Sequence, residues 1–215
     1  MAGFAETGGG VCVVYRRAIN LKTGYVTMST FSLANHFLIA MPNMTDPLFA
    51  KSVVYLCEHT ENGAMGVVLN RPSEMTLSVL FEQVGLHLGR PEWENLPVYF
   101  GGPVQTDRGF VLHQPAGEWQ SSLQVTEQTA LTTSRDILNV MVEGGGPERL
   151  FLCLGYSGWD AGQLEHELAQ NAWLSVEAPA DLGLIFDLPS EHRFNAAMSL
   201  LGIDMLSLSD QVGHA

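Results

Sequence analysis

Several short stretches of this 215-residue chain carry side chains that could do chemistry. Gly155-Tyr156-Ser157-Gly158-Trp159 sets a serine hydroxyl on a glycine-flanked segment. The hydrolase elbow G-x-S-x-G needs glycine two places after the serine, where this chain has Trp159, and spacing pairs no His or Asp with Ser157. The residues read instead as a tight bend, with Gly155 and Gly158 giving conformational freedom and Tyr156 and Trp159 packing over a sheet edge. No catalytic residue is assigned on this basis. A hydrolase-like enzyme with a pocket near Ser157 stands as the alternative reading.

Metal chemistry fares no better. His166-Glu167-Leu168-Ala169-Gln170 lacks the second histidine of H-E-x-x-H. Neighbouring helix residues point about 100° apart, so Glu165, His166 and Glu167 cannot converge on one ion. Glu58-His59 with Glu61 reads as part of an acidic loop. Gly101-Gly102-Pro103-Val104 follows a strand but matches neither G-x-G-x-x-G nor a P-loop, and no lysine follows it. It marks a strand end where another backbone passes closely. Asp160 and Gln163 have the spacing of a capping box, whose helix N-terminus offers free N–H groups to an anion. Neither a metal nor a cofactor is expected.

The charge balance narrows the partners. Ten Lys and Arg face 23 Asp and Glu, a formal net charge of −13. Phosphate backbones are gripped by clustered Lys and Arg that displace counterions, so direct nucleic-acid binding is disfavoured. Apolar residues make up 46% of the chain, enough for a folded core. Three cysteines, Cys12, Cys57 and Cys153, without C-x-x-C spacing, suggest inert thiols in a reducing, cytoplasmic setting. No apolar run approaches the roughly 18 residues of a membrane span.

The surrounding elements must position these residues. Gly8-Gly9-Gly10 and the composition shift at Met28 predict a weakly ordered extension over 1–27, followed by a single domain over 28–215. Phe37 to Met41 reads as a buried strand. Ser52 to Cys57 and Met65 to Asn70 read as a hairpin whose loop holds Asn62-Gly63. Leu77, Leu80, Phe81 and Val84 recur at helical spacing between Thr76 and Gly85. Val98-Tyr99-Phe100 predicts a strand paired with Gly109 to His113, and Ser122 to Val125 a further one. Ser134 opens a helix ended by Gly144-Gly145-Gly146-Pro147. A central strand over 150–154 leads through the glycine bend into a helix from Ala161 to Asn171. Trp173 to Val176 and Leu182 to Phe186 predict closing strands, Ser190 a last helix, and the tail beyond Asp204 is polar. Hairpins mixed with crossovers predict an α+β fold with a mixed sheet.

Four motifs carry a resemblance: Asn35 to Pro42, Gly66 to Pro72, Gly101 to Val104, and Gly155 to Glu165 with Asn171-Ala172-Trp173. In that order they resemble the AlgH/YqgE family over about residues 33–203. The resemblance implies a bifurcated β-sheet forming a pseudo-barrel with helices packed outside. It implies no catalytic residue, and for function only a role as a transcriptional regulator. The expected role is binding or regulation, exerted indirectly through a protein or small-molecule partner. The candidate cleft comprises Asn70, Arg71, Gly101, Gly102, Tyr156, Ser157, Trp159, Gln163 and Glu165.

Overall fold

The computed structural model describes residues 32–202. The expected extension over 1–27, with Cys12, and the tail beyond Asp204 lie outside the described residues. In chain order the elements are β1 (His36–Ala40), β2 (Val53–Thr60), β3 (Gly63–Val68), β4 (Pro72–Thr76) and α1 (Leu77–Gln83). A 3-10 turn at Pro91–Trp93 precedes β5 (Pro97–Phe100), β6 (Val104–Gln114), β7 (Ser122–Gln124) and β8 (Ala130–Thr132). There follow α2 (Arg135–Val142), β9 (Arg149–Asp160), α3 (Gln163–Ala169), β10 (Trp173–Glu177), α4 (Gly183–Phe186) and α5 (Ser190–Leu200). No described helix is long and apolar enough to cross a membrane.

One curled, mixed sheet joins the strands in the order β10-β1-β2-β3-β9-β6-β8-β7. Its organising strand is β9. One edge pairs with β6, from Val104 opposite Tyr156 to Gln114 opposite Arg149. The other edge is divided between two partners. Cys153 and Leu154 pair in parallel with Tyr99 and Phe100 of β5, which carries β4. Ser157 to Asp160 pair antiparallel with Gly66 to Gly63 of β3. The sheet therefore forks along β9, as the resemblance implied.

The fork is made of touching backbones. The Val68 N–H donates to Gly101 O (2.9 Å) and the Gly101 N–H to Leu154 O (2.8 Å). A Cβ on Gly101 would stand 2.2 Å from Gly155 O, and one on Gly102 2.2 Å from the Tyr156 carbonyl carbon. Gly155 itself lies at φ +72, where it breaks the strand's alternation. Phe151 and Cys153 before it and Tyr156 after it all face the same core.

Three expectations are corrected here. The predicted bend after residue 154 is unbroken strand, because Gly155 serves backbone approach and Gly158 stays in extended pairing with Met65, so neither reverses the chain. Val98–Phe100 pairs with β4 and β9, and β6 lies across β9 from it. Gly183–Phe186 is a helical turn, not a strand. The Asp181 carboxylate takes the Gly183 N–H (3.3 Å), and the consecutive residues Leu184 and Ile185 both bury into one core, which a strand's alternation forbids. The β2–β3 hairpin itself is present, with a tighter turn than predicted, since Thr60 pairs with Gly63.

Alternation along β2 shows how the sheet is covered. Val53, Tyr55 and Cys57 enter the inner core with Phe37, Phe110, Leu112 and Phe151, closed by Ala197 and Met198 of α5. Val54 and Leu56 face outward to Trp159, Trp173 and Leu164 of α3. A third cluster seats α1 and α2 on Val98, Val111 and Leu152 through Leu77, Phe81, Ile137 and Met141. Each fully buried side chain of this size stabilises the fold by about 1.5–3 kcal/mol.

Candidate functional site

Glycine at position 158 makes a hollow. Glu58, Met65 and Gly158 lie in one row across β2, β3 and β9, since Glu58 pairs with Met65 and Met65 with Gly158. The atoms nearest a Cβ at Gly158 would be Tyr156 Cε2 at 3.2 Å, then Tyr156 Cδ2 and Val104 Cγ2 at 3.9 Å. With hydrogen there instead, a cleft of about 420 Å³ opens, walled by Met65, Val104, Tyr156 and Trp159 and edged by Glu58, Thr60, Asn62 and Asp160. Among the described residues no Lys or Arg lines it. The Tyr156 ring is held from behind by Phe110, with ring centroids 5.4 Å apart.

Of the nine candidate residues, Tyr156 and Trp159 line this cleft. Ser157 points to the other face of β9, is wholly buried and donates its hydroxyl to Gly101 O (3.1 Å). That bond ties the fork together and leaves the oxygen no access to a substrate. Gly101 and Gly102 form the fork beneath. Asn70 and Arg71 brace the loop after β1. The Asn70 amide accepts from Val53 N–H (3.0 Å) and donates to Lys51 O (2.8 Å), while Arg71 donates to Ala50 O (2.8 Å) and Pro47 O (3.1 Å).

Gln163 and Glu165 belong to α3. Gln163 Oε1 accepts the Asp160 N–H (3.0 Å), so one half of the predicted capping box forms. Glu165 accepts from His59 Nε2 (2.8 Å). Because the Leu33 N–H donates to His59 Nδ1 (2.9 Å), the ring proton sits on Nε2 and both nitrogens are committed. This buried histidine latches the entry to β1 onto α3.

Sequence reasoning considered Glu167 as a metal ligand and assigned it no role. Its carboxylate receives three N–H donors: Trp159 Nε1 at 2.9 Å, Trp173 Nε1 at 2.8 Å and Gln163 Nε2 at 2.8 Å. Two tryptophans four residues either side of an acidic helix were the available signal. Arg193 was also missed. It is buried under the sheet, donating to Leu69 O and Leu188 O, with its guanidinium 4.8 Å from the Tyr99 ring centroid. Burial pushes its pKa down from the usual guanidinium value.

Other titratable groups are similarly enclosed. Burial raises the Cys57 and Cys153 thiols above their ordinary value, which keeps them protonated and unreactive. His113 is fully buried; its Nδ1–H donates to Pro115 O (2.9 Å), and Nε2 accepts from the Thr132 hydroxyl (2.8 Å). Among the described residues no three His, Cys, Asp or Glu side chains are grouped to hold a metal.

Comparison with known proteins follows the same outline. A Chromobacterium violaceum UPF0301 protein is 60% identical over 188 residues, spanning 87% of this chain and all of its own. One from Laribacter hongkongensis is 58% identical over the same share of each. The solution structure of the AlgH protein from Pseudomonas aeruginosa superposes with a TM-score of 0.71 at 49% identity, covering 88% of this chain and 99% of its own. A Corynebacterium diphtheriae protein shares the fold at 21% identity, with a TM-score of 0.59 over 76% of this chain and 84% of its own. The profile of the family DUF179, described as AlgH-like, matches residues 37–206, and this chain belongs to that AlgH-like family.

Proposed function

We propose that this protein works by binding, in a cytoplasmic and regulatory capacity, and that its ligand or partner presents a cationic group to the hollow over Gly158. One observation carries the reading: a cleft of about 420 Å³ whose ionisable lining among the described residues is Glu58, Asp160 and the phenol of Tyr156, with no basic residue. That volume lies in the range of roughly 300–1,000 Å³ typical of small-ligand sites. Two carboxylates and an aromatic face attract an ammonium or guanidinium by charge and by the ring quadrupole. The net charge of −13 extends the same preference over the whole chain and disfavours nucleic acid. Ser157, buried and hydrogen-bonded to backbone, gives the hydrolase alternative no support.

The test is an NMR titration of the full chain with arginine methyl ester, a cationic probe, against acetate as an anionic one. Amide shifts confined to Glu58, Met65, Tyr156 and Gly158, seen with the cation alone, are the expected result. Shifts that are absent, or equal for both probes, overturn the cationic reading.

A further inference from the structure

On the opposite side of β9 from the Tyr156 face, helices α1 and α2 leave a second depression. Its volume is about 240 Å³, and Leu80, Phe81, Val84, Leu138, Leu152 and Leu154 supply its apolar walls. Val84, one of the four large apolar side chains exposed among the described residues, lines it just after α1. A volume below the usual small-ligand range suits one or two inserted side chains, the anchor geometry of a protein interface.

The cations of the chain explain what surrounds the anchor. Among the described residues Arg90 and Arg149 pair with carboxylates, while Arg71 and Arg193 give their N–H groups to backbone carbonyls. Like Lys51, Arg108 and Arg135 have no carboxylate within 4.0 Å among the described residues, and both arginines are exposed. Each is fastened to the rim of this depression. Arg108 donates to Thr133 Oγ1 (2.9 Å) and Arg135 to Val84 O (3.1 Å), and Thr133, Arg135 and Val84 all line it. Among the described residues Asp107 is the one acidic member of the lining. Nearby Asp136 is engaged by Ser134 Oγ and the Gln120 N–H (2.9 Å). In a chain of net charge −13, two arginines without carboxylate partners at one apolar depression offset Asp107 and Asp136 and locally cancel the acidic excess.

We infer that the α1–α2 face docks an acidic protein segment that inserts an apolar side chain between the helices and sets its carboxylates against Arg108 and Arg135. This surface is separate from the hollow over Gly158, and its partner is of opposite charge.

Methyl-detected NMR on the full chain tests it. The probes are short peptides with one central Phe or Leu flanked by Asp and Glu, the same peptides flanked by Lys, and decanoate. Acid-flanked peptides should shift the Leu80, Val84, Leu138 and Leu154 methyls and leave Met65 unmoved. Arg108→Glu, on an exposed side chain, should weaken that binding about tenfold and favour the Lys-flanked peptides, a reversal no loss of fold produces. Val84→Asp supplies a second variant, which should weaken every peptide. Equal binding of both peptide types, binding of decanoate alone, self-association covering these methyls, or no shift at all would each overturn the inference. Met65 shifts with arginine methyl ester report the other site, so either reading can fail without the other.

Discussion

Gly102 and Gly162 both lie in backbone conformations that L side chains rarely adopt, at φ +150 and φ +77, yet they sit in different surroundings. A Cβ on Gly102 meets backbone at 2.2 Å, whereas one on Gly162 meets nothing within 4 Å. Gly162→Ala should therefore cost only about 1–2 kcal/mol, the strain of the conformation alone. Gly102→Ala must also push the fork apart and should cost more than about 3 kcal/mol, read as a lowered denaturant midpoint. Glu167→Leu strips two buried indole N–H groups of their acceptor. It should lose about 2–3 kcal/mol and red-shift the Trp fluorescence, because Trp159 and Trp173 would turn their nitrogens to water. The glycine motifs were visible in the sequence, and close backbone approach was read correctly for Gly101-Gly102. Glu167 was not legible, because its partners come from β9 and β10 and only the closed helix brings them together.

At the scale of elements, the predicted helices over α1, α2, α3 and α5 and the β2–β3 hairpin follow from short-range periodicity, and the structure has them. Strand partners do not follow from it. Nothing local in Val98-Tyr99-Phe100 says that it lies beside β9, since that pairing depends on which hydrophobic faces the whole sheet must bury. The His113 segment of β6 gives an element-level prediction. Burial holds the His113 imidazole below its ordinary 6.5, so the native state keeps it neutral. The unfolded chain takes up its proton near pH 6.5 while the folded one does so only at lower pH. Its contribution is thus complete above about pH 6.5 and declines as pH falls towards the lowered native value. Thermal melts of His113→Gln, which removes this titration, should show a flatter acid limb than those of the unaltered chain. Similarly, Arg193→Ala leaves the Leu69 and Leu188 carbonyls without their donor and uncouples α5 from the hairpin exit. A loss of about 2–4 kcal/mol is expected in denaturant melts.

For the molecule as a whole, β9 joins both halves of a forked sheet, and the two faces beside it have opposite character. Among the described residues one holds a cleft with acidic residues and no base; the other holds an apolar depression whose rim carries arginines. The resemblance in the sequence led to the forked sheet. The site was legible only in part, through Tyr156 and Trp159, because the hollow arises from a missing side chain on β9 facing Glu58 and Met65 on strands nearly a hundred residues away.

Filling that hollow is the most direct test. Gly158→Val places a branched side chain where only the movable edge of Tyr156 and Val104 lie near. The variant and the unaltered chain, matched for melting temperature, would be titrated calorimetrically with arginine methyl ester. The account predicts heat of binding from the unaltered chain and none from Gly158→Val. Undiminished binding by a folded Gly158→Val protein would contradict it.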